Sequence, residues 1–355
     1  MIGFSGEFVG RPWTGTGQYS VRLIEWLDRI GAPVRVLGHR SAGFIAKLGW
    51  EHFEVVRAAQ AAGAELLHVP YFGPPLRSPL PLVVTVHDLI MLAVPEHRGP
   101  LAYRVYTRVA LIGARRANRV LADSETTRRD LLRFGGISPE RIEVIPLGHD
   151  ERLSDPVPES EIEAYRTRRG LPNRFVLYLG GFDARKNVPL LLQAAKRAGA
   201  WPLVIAGDPP PARPPLYPDV RGPANALGDR MIWLGRVPEE EKRLLYRAAT
   251  VFCYPSRYEG FGLPPLEAMA CGTPVVAVDA TSVAEIVEDV ALLVPPDDGP
   301  ALTGALARLM ADGDLRYELA ERGSERARAF TWERTARETL GAYDRALNER
   351  RSVLG

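Results

Sequence analysis

Two glutamates stand eight positions apart, on either side of a glycine turn, in the stretch "YEGFGLPPLEAMACGTPVV" at residues 258–276. Glu259 follows the strand pattern "VFCYPS", and Glu267 follows two prolines that suit the first turn of a helix. Gly260 and Gly262 let the backbone approach a ligand closely. Near the positive end of that helix we expect Glu267 to stay ionised and to accept two hydroxyl hydrogen bonds. The pair predicts that a polyhydroxylated ligand is bound at two points, one by each glutamate. The alternative is that Glu267 only caps its helix.

Two adjacent cations, Arg185 and Lys186, lie in "YLGGFDARKNVPLLLQA" between a predicted strand and a helix expected to start at Asn187. Two positive charges beside the amides of a helix start suit a pyrophosphate. The alternative is a solvated basic pair. The position between strand and helix favours the functional interpretation.

Two further loops follow predicted strands or lead into helices. His87 ends the apolar strand "VVTVHDL", at the carboxyl edge of a sheet, where ligand sites form. Gly15 and Gly17 in "GTGQYS" lead into a helix whose amides could hold an anion or a sugar oxygen. As a dinucleotide fingerprint this loop fails, because Ser20 stands where the third glycine is needed. A strand-capping histidine and a glycine loop without a ligand are the alternatives.

These loops need a scaffold, and the hydrophobic pattern predicts one. Short apolar runs alternate with amphipathic helical segments, which is typical of parallel sheets covered by helices. The first half contains the predicted strands "PVRVLGH", "LLHVPY", "LVVTVHD", "RVLADS" and "IEVIPLG". The second half contains "FVLYLGG", "PLVIAGD", "MIWLGR", "VFCYPS", "PVVAVDA" and "ALLVPP". The fold class is therefore α/β, with two doubly wound Rossmann-like domains at residues 1–165 and 170–330. Between two of the later strands, "GDPPPARPPLYPDVRGP" predicts an exposed, stiff loop.

Composition places few limits on function. The 355 residues are 46% hydrophobic and 25% charged with a net charge of +2, so nothing calls for nucleic acid as a partner. Cys253 and Cys271 stand in apolar surroundings without metal-ligand spacing, which indicates buried thiols in a reducing compartment. The start is not typical of a signal peptide, and no apolar run reaches the ~20 residues of a membrane span. We expect a cytoplasmic protein.

Contact with the inner face of a membrane stays open at this stage. Residues 98–141 carry ten arginines against four acidic residues, and "LAYRVYTRVALIGARRANR" mixes apolar and basic faces. Such a surface could rest on anionic lipid. A solvated basic surface is the alternative.

The motifs together resemble those of the retaining glycosyltransferase family 4 (group 1), which has the glycosyltransferase-B fold. "EGFGLPPLE" is similar to the Glu-x7-Glu motif of that family, and "GTGQYS", "VTVHDL", "GGFDARKN" and "FTWERTARETL" match further family stretches in the same order. The Arg-Lys-Asn sequence resembles the mannosyltransferase-like subgroup. The resemblance implies two Rossmann-like domains facing a central cleft. It also implies a C-terminal helix, residues 331–350, that packs back on the first domain.

The resemblance implies roles for the residues described above. The first domain would bind the acceptor and the second a nucleotide diphosphate sugar, linked to guanosine or uridine, with no other cofactor and no metal. Glu259 and His87 would be the catalytic residues, and Glu267 would hold the ribose hydroxyls. The donor-binding residues it implies are Gly15, Gly17, Arg185, Lys186, Gly260, Phe261, Gly262, Leu263 and Glu267. One departure from the family pattern is Gly181, where many members have an arginine.

The implied reaction is the transfer of a hexose, with a mannose-like sugar favoured, to a hydroxyl of a glycan, lipid-linked or small-molecule acceptor. A sugar phosphorylase or a sugar-nucleotide epimerase on the same fold is the alternative. A nicotinamide-dependent oxidoreductase is disfavoured, because no complete dinucleotide fingerprint follows the first strand. A non-catalytic partner subunit is disfavoured by the presence of both glutamates, Lys186 and His87. The oligomeric state is left open.

Overall fold

The computed structural model describes residues 1–11, 14–38, 43–199 and 201–354. The chain forms two compact units. Unit 1 consists of Met1–Gly148 and the C-terminal segment from Phe330, and unit 2 consists of His149–Ala329. The predicted boundary at residue 165 falls inside unit 2.

Unit 1 is built on a six-stranded sheet in the order β2-β1-β3-β4-β5-β6, with all neighbours parallel. Its strands are β1 (Ile2–Ser5), β2 (Val34–Leu37), β3 (Leu66–Val69), β4 (Leu82–Val86), β5 (Arg119–Ala122) and β6 (Ile142–Val144). The five predicted strands of this half are confirmed, whereas β1 was missed. Because the chain runs outward from β1 to β2 and then returns to β3, the strand order reverses between β1 and β3.

Helices and short turns connect these strands. The helices are α1 (Gly15–Arg29), α2 (Phe44–Gly49), α3 (Val55–Ala61), α4 (Ile90–Ala93), α5 (Leu101–Arg115) and α6 (Glu125–Asp130). Two π-helical turns, Trp50–Glu54 and Leu131–Gly135, extend α2 and α6. Strands β3, β4 and β5 are buried along their whole length, which explains why their sequences are mostly apolar rather than alternating, with His68, Thr85 and Arg119 as the polar residues.

Unit 2 has the same architecture, with the strand order β12-β11-β10-β7-β8-β9 and parallel pairing throughout. Its strands are β7 (Val176–Leu179), β8 (Leu203–Ala206), β9 (Met231–Gly235), β10 (Val251–Tyr254), β11 (Val275–Val278) and β12 (Leu292–Val294). All six were predicted. The order reverses between β7 and β10, and a crevice at the carboxyl ends of such a pair of strands is where doubly wound sheets bind ligands.

The helices of unit 2 cover both faces of this sheet. They are α7 (Glu159–Arg169), α8 (Val188–Ala198), α9 (Arg221–Asn225), α10 (Glu239–Ala248), α11 (Leu263–Ala270), α12 (Thr281–Val287), α13 (Gly299–Ala311) and α14 (Gly313–Ala327). The end of the predicted proline-rich loop is helical, since α9 includes Pro223. Proline is tolerated there because it lies in the first turn, where an amide has no helical partner.

The last helix, α15 (Trp332–Leu354), packs against α1 and against β3, β4 and β5 of unit 1. Thr331 begins it, because the hydroxyl of Thr331 accepts a hydrogen bond from the amide of Arg334 at 3.2 Å. Tyr343 and Trp332 on this helix are buried. The core of unit 1 is therefore formed by two separate pieces of chain.

Candidate active site

Glu259 lies at the centre of a buried polar cluster at the carboxyl edge of the unit 2 sheet. Its Oε1 accepts hydrogen bonds from Lys186 Nζ at 2.6 Å, Ser256 Oγ at 2.6 Å and Tyr254 OH at 3.0 Å. Its Oε2 pairs with Arg185 Nη1 at 2.5 Å. Four donors, one from the end of β10 and three from the two loops, therefore converge on one carboxylate.

The strand order explains why these residues meet. Arg185 and Lys186 lie on a 3-10 turn (Ala184–Lys186) after β7, and Glu259 lies in the loop after β10, the two strands between which the order reverses. The two loops are also joined through the main chain, because the carbonyl of Arg185 accepts hydrogen bonds from the Arg257 amide at 2.7 Å and from Ser256 Oγ at 3.2 Å. The cations and the carboxylate are thus held as one unit.

The charge on Glu259 is strongly stabilised. Burial alone would raise its pKa, but Lys186 and Arg185, together with the hydrogen bonds, lower the pKa of Glu259 to about 2. The carboxylate is ionised at neutral pH, and the two cations beside it are paired with it and with Asp183, which contacts Arg185 Nε at 3.1 Å. An incoming anion would therefore compete with Glu259 for Arg185 and Lys186.

Glu267 occupies a different environment from the expected one. It is the fifth residue of α11, one turn beyond the helix start, so the helix dipole is not its main support. Its carboxylate accepts a hydrogen bond from Tyr246 OH at 2.9 Å and lies 3.6 Å from Lys242 Nζ, both on α10. Burial raises the pKa of Glu267 above its ordinary value, and Lys242 and Tyr246 oppose that rise. We expected the start of α11 to stabilise the Glu267 carboxylate; the contacts that stabilise it come instead from Tyr246 and Lys242 on α10.

The glycine turn between the two glutamates has a backbone conformation that requires glycine at one position. Gly262 has φ +129°, and a Cβ there would lie 3.3 Å from side-chain atoms of Val283 and Ile286. Ser282 Oγ donates to the carbonyls of Glu259 and Phe261, at 2.9 and 2.5 Å. The turn is therefore fixed from α12, and it holds the backbone of Gly260–Leu263 in one conformation.

The proline-rich loop contacts the turn that carries the cations. The carbonyl of Leu216 accepts a hydrogen bond from the amide of Ala184 at 2.8 Å. Arg213 and Tyr217 exchange two main-chain hydrogen bonds, at 2.8 and 3.0 Å, which close the loop on itself. The loop thus supports the 3-10 turn at Ala184–Lys186.

In unit 1, His87 follows β4 and pairs with Asp123, which follows the neighbouring strand β5. His87 Nδ1 lies 2.7 Å from Asp123 Oδ2, and Nε2 lies 3.2 Å from the carbonyl oxygen of Pro70. Both ring nitrogens face acceptors, so the arrangement fits a doubly protonated imidazolium. Burial disfavours that charge, but Asp123, Asp88 and the Pro70 carbonyl outweigh it and raise the pKa of His87.

The glycine loop lies close to His87 through α1. Thr14 caps α1, and its Oγ1 accepts a hydrogen bond from the Gly17 amide at 3.1 Å, so this amide is not available to an anion. The ring of Tyr19, one turn on, packs edge-on against His87 with 4.7 Å between ring centroids. Gly15 and Gly17 therefore belong to the same part of unit 1 as His87, and their expected contact with an anion or a sugar oxygen stays a prediction.

Comparison with known proteins agrees with this architecture. Residues 161–329 match the model of the glycosyl transferases group 1 family, and residues 13–153 match that of glycosyltransferase family 4. The chain is 32% identical to O-antigen chain mannosyltransferase B of Escherichia coli, over 96% of this chain and 98% of the relative. The chain belongs to the group 1 glycosyltransferases of family 4.

Further similar proteins support this membership. The MMP alpha-(1->4)-mannosyltransferase of Mycolicibacterium hassiacum is 32% identical, with 83% of this chain and 71% of the relative covered. Sucrose-phosphate synthase from Thermosynechococcus elongatus superposes with a TM-score of 0.78 at 25% identity, over 98% of this chain and 99% of that structure. Anabaena HepE in complex with UDP-glucose superposes with a TM-score of 0.75 at 22% identity, over 96% and 99%. The glycosyltransferase-B fold is confirmed.

Several residues that complete the two clusters of this glycosyltransferase were not predicted from the sequence. Asp123 was given no role, although its position directly after the predicted strand "RVLADS" was a usable signal. Tyr254, Ser256, Tyr246 and Lys242 were also missed, because a strand or helix pattern does not reveal which polar side chain turns towards a carboxylate.

Two negative findings concern the described residues 1–11, 14–38, 43–199 and 201–354. Within those ranges, no helix combines the length and apolar character needed to cross a membrane. The same residues contain no group of three or more His, Cys, Asp or Glu side chains arranged to hold a metal ion.

Proposed function

We propose that this glycosyltransferase is a retaining hexosyltransferase that uses a nucleotide diphosphate sugar. The observation that carries the proposal is the cluster of Glu259 with Arg185 and Lys186 at the point where the unit 2 strand order reverses. Two relatives are named as mannosyltransferases, which favours a mannose-like sugar. HepE was crystallised with UDP-glucose, so both uridine and guanosine donors belong in the test.

Donor binding exchanges one anion for another at the two cations. The diphosphate takes over hydrogen bonds from Arg185 and Lys186 that Glu259 accepts in the absence of ligand, and Glu259 then turns part of its hydrogen-bonding capacity to the hydroxyls of the sugar. The backbone of Gly260–Leu263 lines the sugar and the phosphates. Because the cations are already held at the site by the protein, the reorganisation on donor binding falls mainly on Glu259.

Glu267 binds the ribose hydroxyls in this proposal. Its two carboxylate oxygens can each accept more than one hydrogen bond, so Tyr246 and Lys242 leave capacity for a diol. A diol that donates to the carboxylate favours its ionised form, which opposes the rise in pKa caused by burial.

The chemical step breaks the bond between the anomeric carbon and the diphosphate oxygen. The electron pair leaves with the diphosphate, where Arg185 and Lys186 stabilise the added negative charge without a metal ion. The acceptor hydroxyl bonds to the anomeric carbon on the face that the diphosphate leaves, and its proton passes to the departing phosphate oxygen. His87, on the acceptor side in unit 1, contributes through Nε2, which exchanges the carbonyl of Pro70 for an oxygen of the acceptor while Nδ1 stays paired with Asp123.

The acceptor side is assigned to unit 1. The proposed acceptor group is a hydroxyl of a glycan, of a lipid-linked molecule or of a small molecule. The protein would act in the cytoplasm, with peripheral contact at the inner face of a membrane. The exposed apolar residues of α5 support that contact, since Leu101 and Val105 are 71% and 49% exposed. The relatives and structures cited above are named as transferases or a synthase where their names state an activity, and none of those names favours a phosphorylase or an epimerase.

A panel of nucleotide diphosphates and nucleotide sugars tests the proposal by thermal shift, because a ligand that binds the folded state stabilises it by mass action. We expect GDP-mannose or a related donor to raise the melting temperature, and the sugar to be transferred with its anomeric configuration kept, as read by NMR. A chelator should leave transfer intact. No stabilisation by any donor would refute nucleotide-sugar use, an inverted product would refute retention, and loss of transfer with chelator would refute metal independence.

A further inference from the structure

A small surface pocket in unit 1 is lined by three arginines. It has a volume of about 200 Å³, and Arg98, Arg104 and Arg108 surround it, with Met91, Leu92 and Phe134 as its apolar wall. At about 30 Å³ per water molecule, this space holds roughly seven water-sized groups, which is enough for a phosphate. We call it the arginine pocket.

The arginine pocket is lined by those arginines of residues 98–141 whose side chains have no protein partner in the described ranges. Of the ten arginines in residues 98–141, six donate hydrogen bonds through their side chains, namely Arg115, Arg116, Arg119, Arg128, Arg129 and Arg141. Arg133 stacks on Phe134, with its guanidinium 4.8 Å from the ring centroid. Within the described ranges, the side chains of Arg98, Arg104 and Arg108 have neither an ion pair nor a hydrogen bond, and these three line one pocket.

The position of these cations is unfavourable without an anion. Arg104 and Arg108 are four residues apart on α5, so their like charges lie on one face of the helix and repel each other. Arg98 adds a third positive charge from the segment before α5. A phosphate group accepts hydrogen bonds from several guanidinium groups at once, and it would relieve this repulsion.

The surroundings of the pocket indicate which phosphate it takes. Leu101, Val105 and Ile112 share the exposed face of α5 with the arginines and are 71%, 49% and 40% exposed. A helix face that mixes bulky apolar residues with arginine is typical of a helix lying in a membrane interface. A soluble phosphate compound would leave these side chains in water, whereas a lipid would cover them.

We propose that the arginine pocket binds the phosphate group of a membrane lipid, with the exposed face of α5 resting on the lipid surface. The inference rests on the proposed function in one respect, since a lipid phosphate next to unit 1 presents a lipid-linked acceptor to the transferase. The lipid phosphate is then the anionic group that the acceptor side in unit 1 recognises.

Vesicle sedimentation of the full chain tests the proposal. The wild type should bind vesicles of phosphatidylglycerol and phosphatidylcholine and should not bind phosphatidylcholine alone. The double variant Arg104→Gln/Arg108→Gln should bind the anionic vesicles roughly 30-fold more weakly, since each arginine near an anionic surface contributes about 1 kcal/mol. The matched control is Arg35→Gln/Arg57→Gln, which removes the same charge from exposed positions outside the pocket and should change binding by less than about threefold.

Three outcomes would overturn the proposal. Equal losses in the two double variants would indicate a diffuse basic surface. Absence of vesicle binding by the wild type would refute the lipid. Binding of inorganic phosphate that depends on Arg104 and Arg108, without any vesicle binding, would point to a soluble phosphate instead.

A second measurement separates this inference from the proposed function. Thermal shift with nucleotide sugars reports unit 2, where all the proposed donor contacts except Gly15 and Gly17 lie, and it also shows that each variant is folded. If vesicle binding depends on the pocket but no nucleotide sugar raises the melting temperature, the proposed donor is refuted and the lipid site is retained. If nucleotide sugars raise the melting temperature but vesicles do not bind, the lipid site is refuted and the proposed donor is retained.

Discussion

Glu259 and Glu267 have different partners although only a short glycine turn and one helical turn separate them. Glu259 accepts from two cations and two hydroxyl groups, whereas Glu267 has one hydroxyl and one more distant ammonium group. The first carboxylate is therefore held ready to exchange its cations with a diphosphate, and the second has capacity left for a neutral diol. At the scale of single residues, the two glutamates are suited to different steps.

Alanine substitutions should separate these roles. Glu267→Ala is expected to weaken donor binding by about tenfold to a hundredfold, since a hydrogen bond to a charged group contributes about 1.5–3 kcal/mol. Glu259→Ala should lower turnover on the order of a hundredfold, and more than it lowers binding, because its effect falls on the transition state. Calorimetry and steady-state kinetics measure both, with the exposed Glu163→Ala as control. An unchanged turnover in Glu259→Ala would contradict the assignment.

The depressed pKa of Glu259 also predicts how stability depends on pH. Its pKa is lowered from 4.5 to about 2 in the folded state, so its stabilising effect is present above pH 4.5 and is lost as the pH falls towards 2. Between pH 7 and pH 3 the wild type should lose about 2 kcal/mol more of its free energy of unfolding than Glu259→Gln does. Urea unfolding at both pH values measures the difference. Parallel losses in the two proteins would show that Glu259 is not held as an ion.

The sequence could predict where these residues lie, but not all of their contacts. Arg185, Lys186, His87 and Glu259 each follow a strand, and strand ends meet at one edge of a parallel sheet. The pattern of apolar residues says nothing about side-chain direction beyond that edge. The contact of Glu259 with the cations assigned to the diphosphate was therefore not foreseen.

Among the helices, α1 depends on a close approach of two backbone segments at its start. A Cβ on Gly17 would lie 2.0 Å from the carbonyl oxygen of Arg11, whereas a Cβ on Gly15 would meet nothing within 4 Å. The same first turn is capped by Thr14 and leads to Tyr19, which packs on His87. The start of this helix therefore affects the position of the histidine.

Replacing each glycine by alanine tests this dependence. Gly17→Ala should lower the free energy of unfolding by about 1–3 kcal/mol, because backbone atoms would have to move apart. Gly15→Ala should leave it within about 1 kcal/mol of the wild type or raise it slightly, since alanine suits a helix. Urea unfolding of the two variants gives the comparison. Equal effects would show that the contact with Arg11 is not rigid.

At the level of whole elements, eleven of the twelve strands were predictable and β1 was not. β1 has only four residues and includes Gly3, so it offers neither a long apolar run nor an alternating pattern. The π-helical turn at Trp50–Glu54 was also beyond prediction, because its sequence continues the helical pattern of α2. In both cases tertiary packing decides a conformation that local sequence leaves open.

Considered as a whole molecule, unit 1 is completed by residues from the far end of the chain. Tyr343 OH lies 2.7 Å from His68 Nδ1, and His68 Nε2 lies 2.9 Å from Thr85 Oγ1, which also contacts Tyr19 OH at 2.9 Å. His68 is fully buried, and burial lowers the pKa of His68 to about 3, so the ring is neutral. Nε2 has its partner on β4, whereas Nδ1 has a partner only when α15 is in place.

Tyr343→Phe should therefore destabilise the protein without affecting the donor. Removing the hydroxyl leaves a buried ring nitrogen without its partner, at an expected cost of about 1–3 kcal/mol in the free energy of unfolding. Donor affinity should change little, because Glu259, Glu267, Arg185 and Lys186 lie in unit 2 and only the proposed contacts of Gly15 and Gly17 lie in unit 1. Denaturant unfolding and calorimetry measure the two quantities, with Tyr317→Phe, which is 70% exposed, as control. A large loss of donor affinity would contradict this separation.

The pairing of His68 with Tyr343 also has a consequence for biosynthesis. The two residues are 275 positions apart, so on a ribosome that adds about 5–20 residues per second, His68 waits on the order of 15–55 s for its partner. All of unit 2 is translated during that interval. A nascent chain that terminates early can thus contain every proposed ligand of the nucleotide sugar and still have an unfinished N-terminal core, which exposes it to proteases before it can compete for donor.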